Sequence, residues 1–143
     1  MTTYLLDINL LLALTDPMHI HHELSHQWFA KKGQQAWATC PLTENGFVRI
    51  ASHPNYPNRP GDVPAVLSIL RQVCESSGHR LWPDDLSILE ILEQEAIITH
   101  AQITDVYLLG LAVSKQAKLA TLDRRIPVDA VSGGTRAIEV ISS

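Results

Sequence analysis

The chain has 143 residues, a size that predicts one domain over 1–143 with a real hydrophobic core. Its formal net charge is −4, which argues against a protein that coats nucleic acid without specificity, since such binders are basic. Two cysteines, Cys40 and Cys74, are too few and too far apart for a disulfide framework or a cysteine-based zinc site, so both read as reduced core thiols.

The opening residues show no basic region and no small-residue cleavage site. The apolar run YLLDINLLLAL is about half the length of a membrane span and is broken by Asp7. A soluble, cytoplasmic protein without a membrane partner is expected.

Tyr4-Leu5-Leu6 predicts a short buried strand, and 8–15 a helix that Asp16-Pro17 ends. A second helix is predicted from about His19 to Lys32, stopped by Gly33. A strand over 36–39 follows, then a helix from Pro41 to about Ala51, with proline well placed in its first turn. Residues 53–64 hold four of the eight prolines and predict a loop. Asp62 should cap a helix over 63–76. A strand over 80–82 and a helix over 86–95 come next. Thr104 is the expected N-cap of a long apolar helix, 105–117. Strands over 119–122 and 137–141 flank a Gly133-Gly134 turn. Short buried strands alternating with helices predict an α/β fold with a mainly parallel sheet. Ligands of such sheets bind beyond the carboxyl ends of the strands, where the strand order reverses.

His22-Glu23-Leu24-Ser25-His26 fits H-E-x-x-H, the zinc-hydrolase pattern. At about 100° per residue, Ile20, Leu24 and Trp28 form an apolar stripe, and His22 and His26 fall roughly opposite it, near Ser25 and Phe29. The extended motif fails, because Phe29 and Lys32 stand where glycine and a third histidine belong. A zinc hydrolase using His22 and His26 is therefore a minor reading. The expected role of His19, His21, His22 and His26 is to coat a helix face or to contact a partner.

Four carboxylates are harder to dismiss: Asp7, Glu44, Asp105 and Asp123. Each has a plain structural role available, as helix cap, first-turn acid or turn residue. Yet Glu44 shares a helical face with Phe47, Val48 and Ala51, and Asp105 lines up with Leu108, Leu109 and Ala112. A carboxylate on a core-facing stripe is costly unless a cation or hydrogen bonds compensate it. Convergence on a shared Mg²⁺ or Mn²⁺ is the economical expectation, since hard oxygen ligands suit these ions. A haloacid-dehalogenase-like phosphatase fits less well, because position 9 is Asn where its general acid would stand.

The segments LLDINLLLAL, LTENGFVRIAS, ITDVYLLGLA and LATLDRR, in this order over essentially the whole chain, resemble the PIN-domain family and, within it, the VapC-type toxins of toxin–antitoxin modules. The resemblance implies a three-layer α/β/α sandwich. It implies a catalytic quartet of Asp7, Glu44, Asp105 and Asp123, supported by Asn9 and Thr121. Asp7 and Asp105 would hold Mg²⁺ or Mn²⁺, with Glu44 and Asp123 joining directly or through water. The implied activity is a metal-dependent endoribonuclease that leaves a 5′-phosphate and a 3′-hydroxyl. The implied partners are RNA, a small VapB-type antitoxin, and a second copy of the chain, in a homodimer and in a larger toxin–antitoxin complex. Many relatives continue D-R-D-F after the fourth acid; here the run is Asp123-Arg124-Arg125-Ile126, so Arg124 and Arg125 are candidate RNA contacts. The alternative is a PIN-like module that binds RNA or protein and has lost catalysis.

Overall fold

The computed structural model describes residues 1–93 and 96–143. Five strands form one sheet: β1 (Tyr4–Leu6), β2 (Trp37–Thr39), β3 (His79–Leu81), β4 (Lys118–Thr121) and β5 (Ile138–Val140). Their order is β3-β2-β1-β4-β5, and every pairing is parallel. The helices are α1 (Ile8–Thr15), α2 (His22–Lys31), α3 (Pro41–Ala51), α4 (Val63–Cys74), α5 (Ile88–Ile91) and α6 (Ile103–Ser114).

Side-chain alternation along the strands divides the core in two. Leu5, Ala38 and Leu119 pack with Ile91 of α5 and Val106, Leu109 and Ala112 of α6. Tyr4, Leu6, Trp37 and Ala120 face the other way, onto Leu11 of α1, Phe47 of α3 and Leu70 of α4. The result is the three-layer α/β/α sandwich, with helices covering both faces of a parallel sheet. Among the described residues, no helix is long and apolar enough to cross a membrane.

Several local expectations change. α2 starts at His22, not His19, and Ile20 lies outside it, 89% exposed. The buried residue of α2 is Ser25, and Phe29 packs edge-on against Trp37 with ring centroids 5.3 Å apart. The helix therefore presents Ser25 and Phe29 inward beside the half-buried Leu24 and Trp28, and the wheel's opposite face does not stay in solvent. Trp28 meets Tyr4 edge to face at 5.1 Å, so aromatic geometry fixes the rotation of α2.

Thr104 lies inside α6 rather than capping it. α6 begins directly after a 3₁₀ turn (His100–Gln102), in which Thr99 and Gln102 form a capping box, and its own N-cap, Gln102, makes no side-chain cap bond. α5 is a single turn, capped reciprocally by Ser87 and Glu90; the end of its predicted span, at 94–95, lies outside the described residues.

The proline-rich stretch is tied down. Asp16, at the end of α1, accepts hydrogen bonds from Tyr56 Oη (2.7 Å) and Asn58 Nδ2 (3.0 Å). These bonds, with that from the Met18 amide, hold the Asp16 carboxyl below its usual range despite its burial.

Gly110 lets α5 and α6 touch, because a Cβ there would run into the Ile91 side chain. Gly110→Ala should gain about 1 kcal/mol of helix propensity and lose more to overpacking, about 1–3 kcal/mol. A lowered urea midpoint is expected; an unchanged or raised one would show that Ile91 yields freely.

Candidate active site

β1 and β4 are neighbours although most of the chain separates them, so the strand order reverses between them. The crevice beyond their carboxyl ends is where such sheets bind ligands. Asp7 follows β1 directly, and Asp123 comes two residues after β4. Asp105 sits in the first turn of α6, where the helix dipole favours an anion.

Asp7 is 3% exposed and fully engaged. One carboxylate oxygen accepts from the Leu10 amide (2.8 Å), capping α1. The other accepts from Thr121 Oγ1 at 2.5 Å. Thr121 Oγ1 in turn accepts from the Asp123 amide at 3.0 Å. One hydroxyl thus joins the first acid to the backbone of the last.

Burial pushes the Asp7 carboxyl up to about 6, against the bonds from Thr121 and Leu10, with the charges of Asp105 and Asp123 adding to the rise. Burial, then the charge of Asp123, pushes Asp105 up as well. Asp105 and Asp123 thus oppose the ionisation of Asp7, and Asp123 that of Asp105, which ties the three into one electrostatic unit. Asp123 also makes a local turn, accepting from the Arg125 amide at 2.8 Å, with the Arg125 guanidinium 3.9 Å away.

Glu44 departs from the convergence expected of four acids. Its carboxylate accepts from Thr39 Oγ1 at 2.8 Å, and Thr39 lies on the same side of β2 as Trp37, facing α1–α4. By the same alternation Asp7 and Thr121 follow Leu5 and Leu119 toward α6. The sheet therefore stands between Glu44 and the other three.

Asn9 is exposed on the rim of a cleft of about 1050 Å³, while the two oxygens of Asp7 are taken by Leu10 and Thr121. Asp123, Arg124, Arg125, His19 and His21 line the same cleft. It brings basic and hydrogen-bonding groups to the edge of the acidic centre. His22 is not part of it: its Nδ1 is 2.8 Å from the Ala13 carbonyl, and its ring packs against His26 at 5.8 Å. That bond leaves Nε2 free, but among the described residues no third His, Cys, Asp or Glu stands at ligand spacing with His22 and His26, which weakens the zinc reading of the helix.

Comparison with solved structures shows the fold. VapC20 of Mycobacterium tuberculosis, a toxin that cleaves the sarcin–ricin loop, superposes with a TM-score of 0.63 over 90% of this chain and 95% of that one, at 10% identity. A chain of VapBC2 from Rickettsia felis, bound to a fragment of promoter DNA, gives 0.61 over 98% and 99%, at 14% identity. The overlap over nearly the whole of both chains shows that the fold is shared.

Sequence relatives go further. Ribonuclease VapC44 of Mycobacterium tuberculosis is 37% identical over 134 residues, 92% of this chain and 94% of the relative. Ribonuclease VapC39 of the same organism is 35% identical over 135 residues, 92% and 96% of the two chains. Ribonuclease VapC38 is 42% identical over 122 residues, 83% and 84%. No family model matches the chain. Identity at this level over nearly full length places the chain in the VapC ribonuclease family.

The raised Asp7 carboxyl makes a stability prediction. An ordinary aspartate titrates near 3.8, so the folded chain binds the Asp7 proton more tightly than the unfolded chain does. Stability then falls as pH rises from about 4 to about 6 and stays lowered above that. In chelator-treated buffer at about pH 8, Asp7→Asn should be more stable than the parent by about 2–3 kcal/mol, and the advantage should vanish near pH 4. Urea titrations at the two pH values check this. A loss of stability at the higher pH would mean that the carboxylate form is the favoured one.

Proposed function

We propose that this chain is a metal-dependent endoribonuclease and the toxin of a VapB–VapC pair. The observation that carries the reading is the three-acid unit at the switch point, whose Asp123 lines a cleft together with Arg124 and Arg125. The relatives' naming as ribonucleases supports RNA as the substrate. The likeness to a chain of VapBC2 supports a small antitoxin partner; a homodimer is proposed as well.

The donor chemistry of the three acids suits a hard divalent cation, although their oxygens do not all stand within 4.8 Å of one another and would have to draw together on it. Asp7, Asp105 and Asp123 offer oxygens only, and they repel one another in a partly buried setting that a cation relieves. Asp7 and Asp105 would hold Mg²⁺ or Mn²⁺, with Asp123 joining directly or through water. Glu44 would join only by turning its carboxylate away from Thr39. When bound, such an ion supplies a water of lowered pKa and neutralises charge on the phosphate. The chain's own contribution is preorganisation. Leu10 N and Thr121 Oγ1 fix the Asp7 carboxylate, and the bond from the Asp123 amide to that same hydroxyl sets the spacing of the last acid. Arg124 and Arg125 would seat RNA phosphate in the cleft.

Incubation of the purified protein with total RNA, followed by mapping of new 5′ ends, tests the proposal. Cleavage should require Mg²⁺ or Mn²⁺ and leave 5′-phosphates. Asp105→Asn should reduce it by more than about 100-fold, since a direct ligand should matter at least as much as the groups that orient ligands. Cleavage that survives chelation, or full activity in Asp105→Asn, would overturn the metal centre. A protein that binds Mn²⁺ and RNA but cuts none would leave a binding module in its place.

The arginines make a separate prediction. Arg124→Ala and Arg125→Ala should each weaken RNA binding across sequences and lower the salt slope by about 1. Binding isotherms at several salt concentrations read this directly.

A further inference from the structure

Glu44 has a second set of neighbours. Its carboxylate, the Cys74 thiol and a ring nitrogen of His79 offer three ligand atoms that all lie within 4.8 Å of one another. The three come from the first turn of α3, the last turn of α4 and the first residue of β3. All are half-buried. Cys74 and His79 are joined by a tight connection. Trp37 Nε1 donates to Ser76 Oγ at 2.9 Å, and a Cβ at Gly78 would run into the Gln34 carbonyl oxygen. The Trp37 and His79 rings pack at 4.7 Å. The sequence between them is C-x₄-H, a loop length that brings two ligands to one ion.

We propose that Glu44, Cys74 and His79 form a zinc site, separate from the acidic centre and on the opposite face of the sheet. The donor set carries the choice of metal. A thiolate and an imidazole select Zn²⁺ over Mg²⁺, and a carboxylate completes three protein ligands, leaving one position for water. Ligand atoms around tetrahedral zinc stand roughly 3.3–3.8 Å apart, given its usual bond lengths. From separations of at most 4.8 Å, the three atoms need to close by no more than about 1–1.5 Å to reach that spacing.

Thr39 holds the cluster together without the ion. Its single hydroxyl proton goes to Glu44 at 2.8 Å, so its oxygen accepts the Nε2–H of His79 at 2.7 Å. Zinc binding would release the Cys74 thiol proton to water and move the His79 proton from Nε2 to Nδ1, freeing Nε2 as a ligand. The site would then link α3, α4 and β3 at a sheet edge. It would also hold Glu44 away from Asp7, Asp105 and Asp123.

Co²⁺ is the probe, because cobalt–thiolate coordination absorbs in the near ultraviolet. Full-length metal-free protein titrated with Co²⁺ should show one tight site with a thiolate charge-transfer band, bleached by added Zn²⁺. The band should be lost in Cys74→Ser, and His79→Asn should weaken Co²⁺ binding by at least about 10-fold. Cys40→Ser, which removes a thiol buried elsewhere in the core, should keep the band, as should Asp7→Asn and Asp105→Asn. A parent protein without the band, or a band that persists in Cys74→Ser, would overturn the site. If Cys74→Ser does not fold, alkylation of the parent decides. Zn²⁺ should protect Cys74 from iodoacetamide while Mg²⁺ does not, and equal labelling with and without Zn²⁺ refutes the proposal. None of these readings depends on RNA cleavage, so the failure of either reading leaves the other standing.

Discussion

Strands of three or four residues leave each face of the sheet only one or two positions per strand. Under that constraint the last residue of a strand decides which layer its neighbours join. Thr121 ends β4 on the α6 side, and its hydroxyl gathers Asp7 and the Asp123 amide there. Thr39 ends β2 on the α3 side, and its hydroxyl gathers Glu44 and His79. Two threonines at strand ends, one per face, thus sort the polar chemistry of the molecule. Each is fully buried, so each must find its partners inside the protein.

The broad architecture was legible because its signals are local. Strand β1, helix α1, the Pro41 start of α3 and the Asp62 cap of α4 all appear where composition and capping chemistry place them. The errors have tertiary causes. α2 rotates because Tyr4 and Trp37 offer aromatic faces to Trp28 and Phe29, and no helical wheel contains those partners. α6 begins earlier than its own Thr104 suggests, because it continues a 3₁₀ turn that Thr99 and Gln102 close one turn upstream.

The candidate site was legible in its residue types and less so in its grouping. Asp7, Asp105 and Asp123 stand out as acids within apolar runs, and they share one electrostatic environment. Glu44 carries the same signal but lies across the sheet, since helical spacing reports burial and not the face of the sheet on which a side chain is buried. The C-x₄-H spacing of Cys74 and His79 was present in the sequence. It gains meaning only beside Glu44, which the fold brings from thirty residues away. Asp16 is similar: a helix-ending residue by pattern, it also anchors Tyr56 and Asn58.

β5 is an edge of the sheet, and an edge strand offers unpaired backbone groups to any other extended chain. Glu139, in the middle of β5, accepts from Trp28 Nε1 at 3.1 Å and from Lys32 Nζ at 2.8 Å. The carboxylate that clamps the end of α2 therefore also places a charged group at the centre of a three-residue edge. A second molecule adding a strand there would have to bury that ion pair or break it. The same few atoms give the helix its anchorage and give the protein resistance to edge-to-edge aggregation.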